Sequence, residues 1–158
     1  MSERKFGVVP ADVLLSHTGL DFLQGVVDGR LPAPPIAETL GFALVAVEKG
    51  RAIFEGVPQQ RHYNPIGVVH GGFAMTLLDS ALGCAVHTML DKGEAYTTLE
   101  IKVNMVRPLT KDTGLVRAEG RVLHRGRTVS TAEGEIKDAD SKLYAHATTT
   151  CMIFPAKE

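Results

Sequence analysis

The sequence predicts an α+β protein in which one mostly antiparallel sheet packs on a long helix. The first observation is a nearly uninterrupted apolar run over residues 70–90, which has the length of a buried helix. The second is a series of runs in which apolar and polar residues alternate, as they do in half-buried strands. These runs lie at 99–106, 115–124, 128–137 and 143–154. Strands grouped together after a helix favour this fold class over alternating βαβ units.

The part of the chain before the long helix predicts one further helix and a hairpin. Apolar residues at helical spacing predict an amphipathic helix over 11–27. The sequence LPAPP at 31–35 predicts an extended connector, because proline cannot continue a helix. Residues 39–47 and 52–57 predict two strands joined by a turn.

Length and composition favour one main domain. The chain has 158 residues, of which 44% are hydrophobic, so it contains enough apolar material for a single core. The predicted division is an N-terminal helix with its proline-rich connector at 1–35 and the main domain at 36–158.

Charge and patterning exclude several classes of function. The 17 Lys and Arg residues nearly balance the 18 Asp and Glu residues, so nucleic acid is not expected as a partner. The N-terminus lacks the apolar core and cleavage site of a secretion signal, and we expect a cytoplasmic protein. The run 70–90 approaches the length of a membrane span, but Asp79 and His87 within it favour a buried core helix. No membrane association is expected.

Metal and cofactor sites are not expected either. The six histidines show no spacing that would place two ligands beside a carboxylate on one helical face. The two cysteines, Cys84 and Cys151, lie in apolar segments and are interpreted as small buried hydrophobic residues.

Asp79 is the residue of the long helix that most clearly indicates chemistry. It is the only charged residue between Gly71 and Leu90 at neutral pH. An ionised carboxylate on an apolar helix must be satisfied by partners, and such carboxylates concentrate at functional sites. The alternative is a purely structural hydrogen bond to a nearby hydroxyl, such as that of Thr76 or Ser80.

The residues at the start of the long helix suit an oxyanion. His70, Gly71 and Gly72 open the helix, where backbone N–H groups are unpaired and the helix dipole is positive. Glycines also let a substrate carbonyl approach the main chain. Asn64, in the preceding loop, could donate its side-chain amide to a carbonyl or a water. Taken alone, the glycines could be a flexible helix start and Asn64 a turn former.

Together these residues carry a resemblance to a known family. The stretch NPIGVVHGGFAMTLLDSALG at 64–83 resembles the signature of hotdog-fold acyl-CoA thioesterases, in particular the branch related to the phenylacetyl-CoA thioesterase (PaaI-like). Further similarity lies in LPAPPIAETLGF, YTTLEIKVNMVRP and VLHRGRTVSTAEGEI. The resemblance implies a hotdog fold, in which a mostly antiparallel sheet wraps around one central helix.

The resemblance also implies roles for individual residues. Asp79 would be the nucleophile or general base, and the Gly71 N–H would polarise the thioester carbonyl. His70 would help to position the helix start, with Gly72 beside it, and Asn64 would orient the substrate or the attacking water. The resemblance assigns further substrate and CoA contacts to Thr97 or Thr98, whose hydroxyl would hold the water, and to the cations Arg107, Arg125 and Arg127.

The spacing of two of these residues predicts an oligomer independently. Gly71 and Asp79 are eight residues apart, which corresponds to about 12 Å along a helix. They cannot act on the same carbonyl within one chain. An isologous dimer with antiparallel helices would place Asp79 of one subunit opposite Gly71 of the other. We expect a homodimer or a dimer of dimers.

Acyl-CoA hydrolysis is therefore the predicted function, with an aryl-acetyl or medium-chain acyl group. Two alternatives stay open. One is an acyl-thioester hydratase or dehydratase on the same fold, in which His70 and an acid would share proton transfer. The other is a non-catalytic acyl-CoA-binding module, which would need the same pocket but not Asp79.

Overall fold

A six-stranded antiparallel sheet wraps around one helix in the computed structural model of the chain, which describes residues 5–156. The sheet order is β1-β2-β4-β5-β6-β3, so the third strand crosses to an edge, and among the described residues it pairs only with β6. The strands are β1 (Phe42–Glu48), β2 (Arg51–Gly56), β3 (Glu94–Met105), β4 (Val116–Arg125), β5 (Val129–Asp138) and β6 (Leu143–Pro155).

The central helix α4 (Gly71–His87) packs directly on the sheet. Its sheet-facing side chains are buried, and those of Leu77 and Leu78 have no exposed surface. Two glycines that pair with each other across β4 and β5 allow the close approach. A Cβ atom at Gly120 would lie 2.4 Å from the Ala81 carbonyl oxygen, and one at Gly134 would lie 2.6 Å from a methyl of Leu82. A larger residue at Gly120 would clash with the helix backbone and push the helix off the sheet.

The N-terminal region differs from the predicted single helix. Two short helices, α1 (Ala11–Ser16) and α2 (Gly19–Val27), replace it. The break comes at Thr18, which has an extended backbone and accepts a hydrogen bond from the Asp21 N–H as the N-cap of α2. Apolar residues of α2 join the same core as α4.

The connector also ends earlier than predicted. A third helix, α3 (Pro35–Leu40), begins at a proline, which suits the first turn because its missing N–H needs no partner there. The helix ends at Gly41, whose φ of 68° places it in the left-handed region. The prediction of a strand from residue 39 is therefore wrong for Thr39, Leu40 and Gly41, and β1 begins at Phe42.

Strand β3 begins five residues before its predicted start at residue 99 and contains a bulge. The pairing with β6 shifts between Thr98 and Glu100, which leaves Leu99 as the extra residue. Because of this shift, Tyr96 and Thr98 before the bulge contact α4, and Ile101 after it still packs on the core. Strict alternation would have turned one of these two groups away from the helix.

Within residues 5–156, no helix combines the length and apolar character that a membrane crossing requires.

Candidate active site

Asp79 lies on the solvent-exposed side of α4, next to the edge strand β3. Its side chain is exposed in the single chain, and its Oδ1 accepts a hydrogen bond of 3.1 Å from the Thr98 hydroxyl of β3. Within α4 only Met75 and Asp79 are exposed in the single chain, so the helix is a core helix as expected, but its carboxylate is not buried. The local partner considered from the sequence is also different, since the Thr76 hydroxyl donates instead to the Gly72 carbonyl at 2.8 Å.

The side chains of the two candidate threonines lie on opposite faces of β3. Thr98 points towards α4 and contacts the carboxylate, whereas Thr97 is exposed and lies opposite Met152 of β6. Alternation along a strand sends neighbouring side chains to opposite faces, so only one of the two can reach Asp79. Asp79 and Thr98 form the first group of the candidate site.

His70 caps the start of α4 with its imidazole ring. Its Nδ1 accepts a hydrogen bond of 2.8 Å from the Gly72 N–H. A ring nitrogen that accepts must be unprotonated, so in this arrangement the proton of the neutral ring lies on Nε2. The Gly72 N–H is therefore occupied, whereas the Gly71 N–H donates to no group within residues 5–156.

Asn64 combines the two roles that the sequence left open. Its Oδ1 accepts hydrogen bonds from the N–H groups of Ile66 at 3.1 Å and Val68 at 3.3 Å, which shapes the loop before α4. Its side-chain NH2 group has no partner among the described residues. The amide thus keeps a free donor while its oxygen holds the loop.

Asn64, His70 and Gly71 line one pocket of about 280 Å³ together with Met105 and Arg107. Met105 of β3 packs so closely on the helix start that a Cβ atom at Gly71 would lie 2.6 Å from its terminal methyl. This pocket at the N-terminus of α4, called the N-terminal pocket below, forms the second part of the candidate site. Asp79 does not line it, since eight residues of helix, about 12 Å, lie between Gly71 and the carboxylate.

The three candidate cations have different surroundings. Arg107 lines the N-terminal pocket, and its guanidinium lies 5.6 Å from the centre of the Tyr144 ring. Arg125 is mostly buried and donates to both carboxylate oxygens of Glu94, at 2.8 and 3.0 Å. Arg127 is exposed and forms no ion pair in the part of the chain that the structure describes. Arg107 and Arg127 are thus freer than Arg125 to meet an anion.

The cysteines are poor nucleophiles in this environment. Burial, with a smaller contribution from the charge of Asp79, raises the pKa of the Cys84 thiol to about 12. Burial also raises the pKa of Cys151, whose side chain is inaccessible. Both thiols are protonated at neutral pH and less reactive than a thiolate. Among the described residues, no three His, Cys, Asp or Glu side chains are grouped to hold a metal ion.

Two residues near Asp79 were not singled out from the sequence. The Tyr96 ring of β3 lies on Gly83, one helical turn after Asp79, where a Cβ atom would come within 2.7 Å of the phenol oxygen. A glycine inside a helix costs stability, so its presence in the apolar run was a signal of close approach. The sequence could indicate that something approaches Gly83 but not that it is Tyr96.

Comparisons with known proteins agree with the fold. Residues 66–145 match the Thioesterase superfamily. A 1,4-dihydroxy-2-naphthoyl-CoA hydrolase of Listeria monocytogenes is 29% identical over 75% of this chain and 94% of its own length.

Solved structures show the same architecture. A phenylacetic acid degradation-related protein of Ralstonia eutropha is 34% identical, with a TM-score of 0.75 over 83% of this chain and 98% of that chain. The PaaI protein of Escherichia coli, at 20% identity, has a TM-score of 0.76 over 90% of this chain and 98% of its own, which concerns the fold alone. The family resemblance and the fold class predicted from the sequence are confirmed, and this chain belongs to the Thioesterase superfamily and has the hotdog fold.

Proposed function

We propose that this protein hydrolyses acyl-CoA thioesters to a free acid and CoA, with aryl-acetyl or medium-chain acyl groups as substrates. The observation that carries the proposal is the pair of separated groups on α4. One is a carboxylate oriented by a hydroxyl, Asp79 with Thr98, and the other is a free N–H at the helix start, Gly71. Thioester hydrolysis needs both a group that attacks or activates water and a donor for the oxyanion.

A second copy of the chain would bring the two groups together. Strand β3 is an edge strand whose outer side is unpaired within residues 5–156, and such an edge can pair with another chain. Large apolar side chains near this edge and on the outer side of α4 are exposed, namely Met75, Leu99 and Met105. Antiparallel pairing of two β3 strands would cover them and set the two α4 helices antiparallel, with Asp79 opposite the partner's Gly71. Two such dimers could associate further.

The proposed chemistry assigns one task to each group. The Gly71 N–H and the Asn64 side-chain amide donate to the thioester carbonyl oxygen, where negative charge develops. Asp79 of the other subunit either attacks the carbonyl carbon, to give a mixed anhydride that water then cleaves, or takes a proton from the attacking water. In both routes the carbon–sulfur bond breaks and CoA leaves as the thiolate, while Thr98 holds the carboxylate in place.

The surface arginines would recognise the phosphates of CoA. Arg107 lies at the N-terminal pocket and Arg127 is exposed, so both can reach a ligand that arrives from solvent. Arg125 has a different part in this proposal, because its ion pair with Glu94 ties the β4–β5 turn to the start of β3.

The hydratase alternative is less well supported. It needs a histidine and an acid that share proton transfer, but the Nδ1 of His70 is occupied by the helix cap. Within the described residues, His70 forms no ion pair or hydrogen bond with an acidic side chain. A non-catalytic binding module would not need an oriented carboxylate, so the hydrogen bond from Thr98 to Asp79 favours an enzyme over that alternative.

Release of free thiol from a panel of acyl-CoAs tests the activity, and complementation between two inactive variants tests the shared site. Asn64→Asp keeps the oxygen that shapes the loop but removes the amide donor, and Asp79→Ala removes the carboxylate. Each homodimer should be inactive. In a heterodimer one site carries both lesions and the other carries neither, so random mixing should restore about a quarter of wild-type activity.

The two variants are unfolded and refolded together, and differently tagged chains verify that heterodimers have formed. The matched control refolds each variant alone under the same conditions. Heterodimers without recovered activity would show that Asn64 and Asp79 do not belong to different chains of one site.

A further inference from the structure

The arginine of the N-terminal pocket lies over a buried aromatic ring. The guanidinium carbon of Arg107 is 5.6 Å from the centre of the Tyr144 ring, which is within the range of a cation–π contact. Both residues line the pocket that also contains Asn64 and Gly71. The cation and its aromatic support therefore belong to the same site as the proposed oxyanion donors.

Further contacts fix Arg107 to strand β6. The N–H groups of Val106 and Arg107 both donate to the Tyr144 carbonyl, at 2.9 and 3.2 Å. One terminal nitrogen of the guanidinium, Nη1, donates to the Leu143 carbonyl. Its Nε and Nη2 atoms have no hydrogen-bond partner among residues 5–156. The side chain is thus held at one edge and keeps two donor nitrogens for a ligand.

The Tyr144 ring is itself held in place. Its side chain is buried, and its hydroxyl donates to Oδ2 of Asp138 at 3.0 Å. The other oxygen of that carboxylate accepts hydrogen bonds from the N–H groups of Asp140 and Lys142, in the turn between β5 and β6. Tyr144 is therefore a fixed aromatic surface, anchored by the turn on one side and covered by Arg107 on the other.

A fixed arginine binds an anion at a lower entropic cost than a mobile one. A long exposed side chain loses rotamer freedom when a ligand immobilises it. A guanidinium that already lies on a ring loses less of this freedom, so more of the interaction energy remains for binding. The flat guanidinium suits both the face of a ring and the oxygens of a phosphate, which the ammonium group of lysine does not.

We infer that Tyr144 is a positioning residue, which holds Arg107 in the orientation that binds a phosphate of CoA. This inference rests on the proposed thioesterase function and on the role of Arg107 in it. Tyr144 acts through Arg107 and takes no part in the bond-breaking step. Because Tyr144 also lines the pocket, the alternative is a direct contact of its ring with the substrate.

The experiment compares a CoA thioester with the pantetheine thioester of the same acid, which lacks the nucleotide phosphates. Tyr144→Leu removes the ring, Tyr144→Phe keeps the ring but loses the bond to Asp138, and Arg107→Ala removes the cation. A variant with both Tyr144→Leu and Arg107→Ala shows whether the two residues act as one unit. The matched control is Tyr63→Leu. The Tyr63 hydroxyl accepts a hydrogen bond from the Lys111 N–H, and no arginine lies over its ring among the described residues.

Tyr144→Leu should raise the KM of the CoA thioester about two- to fivefold relative to that of the pantetheine thioester, as expected for the loss of an exposed cation–π contact. Arg107→Ala should raise this KM ratio at least about tenfold, because it removes charged donors. The double variant should equal Arg107→Ala alone. Tyr144→Phe should have a smaller effect than Tyr144→Leu, and Tyr63→Leu should leave the KM ratio unchanged.

Additive losses in the double variant would overturn the inference, because Tyr144 would then act independently of Arg107. Equal changes in KM for the two thioesters in Tyr144→Leu would also overturn it, since a general packing defect affects both substrates. An unchanged KM ratio in Arg107→Ala would overturn it as well, and would remove Arg107 from the phosphate contacts.

If Tyr144→Leu does not fold, Arg107→Lys provides the test. Lysine keeps the charge but not the flat face that lies on Tyr144, so the KM of the CoA thioester should stay above the wild-type value. A wild-type KM in Arg107→Lys would overturn the inference. In all of these cases, hydrolysis of acyl-CoA by the wild type would leave the thioesterase proposal standing. A wild type that hydrolyses no acyl-CoA would overturn both.

Discussion

On the side of α4 that packs on the middle of the sheet, Leu77 and Leu78 have no exposed surface, whereas on its outer side, beside the edge strand β3, Met75 is 42% exposed and Asp79 is open to solvent. The two sides belong to one apolar run in the sequence. Within a single chain, only the sheet-facing side of α4 is fully covered by other residues. The outer side carries the carboxylate, which the proposed dimer would enclose.

This difference shows how one helix can combine stability and chemistry. The sheet-facing side tolerates no polar group, because no water or partner reaches it. The outer side accepts Asp79 because Thr98 bonds to it and solvent reaches it until a partner covers it. Changes on the two sides should therefore affect different measurements.

Leu78→Ala should give the largest effect, on stability. Removing a completely buried leucine leaves a cavity and should lower the free energy of unfolding by about 2–5 kcal/mol. Urea denaturation measures the change. The matched control is Leu123→Ala, since Leu123 is 57% exposed and its loss should cost less than about 0.5 kcal/mol. Equal costs for both would contradict the assignment of the sheet-facing core.

Asp79→Asn should have the next largest effect, on activity. If the carboxylate performs the chemical step, kcat should fall by at least about a hundredfold, equivalent to about 2.7 kcal/mol, while folding is preserved. Steady-state kinetics with the best thioester measures this. A variant that keeps a large share of wild-type turnover would remove Asp79 from the mechanism.

The adjacent threonines provide the control for that experiment. Thr98→Val removes the hydroxyl that donates to Asp79 and should lower kcat, whereas Thr97→Val changes a side chain on the other face of β3 and should not. Equal losses of kcat in the two variants would show that the hydrogen bond from Thr98 to Asp79 is not the cause of the loss.

The last effect concerns pH. In the unfolded chain, His87 takes up a proton near its ordinary pKa of 6.5, but in the folded protein, where burial disfavours the charged ring, only near 4. Unfolding is therefore increasingly favoured as the pH falls between these values, by about 3 kcal/mol at pH 4. The difference between wild type and His87→Phe in the free energy of unfolding, followed from pH 7 to pH 4, isolates this contribution. If the free energy of unfolding changed with pH in the same way in both proteins, His87 would not make this contribution.

The sequence alone predicted the fold class, the central helix and most residues of the candidate site. Periodicity and the apolar run 70–90 were enough for the central helix and the six strands, because each of these signals lies within a short window of chain, but they missed the break at Thr18 and the helix α3. The motif from Asn64 to Asp79 was enough for the family, since its residues are close together in sequence.

Tertiary structure decided the features that depend on distant parts of the chain. The contact of Thr98 with Asp79 spans 19 residues and depends on how β3 lies against α4. The ion pair of Arg125 with Glu94 joins residues 31 positions apart. Because of it, Arg125 is not a free cation at the surface. An apolar pocket beside His87 requires α2 to pack on α4, a placement that no local pattern encodes, because periodicity shows which face of an element is apolar but not which partner covers it.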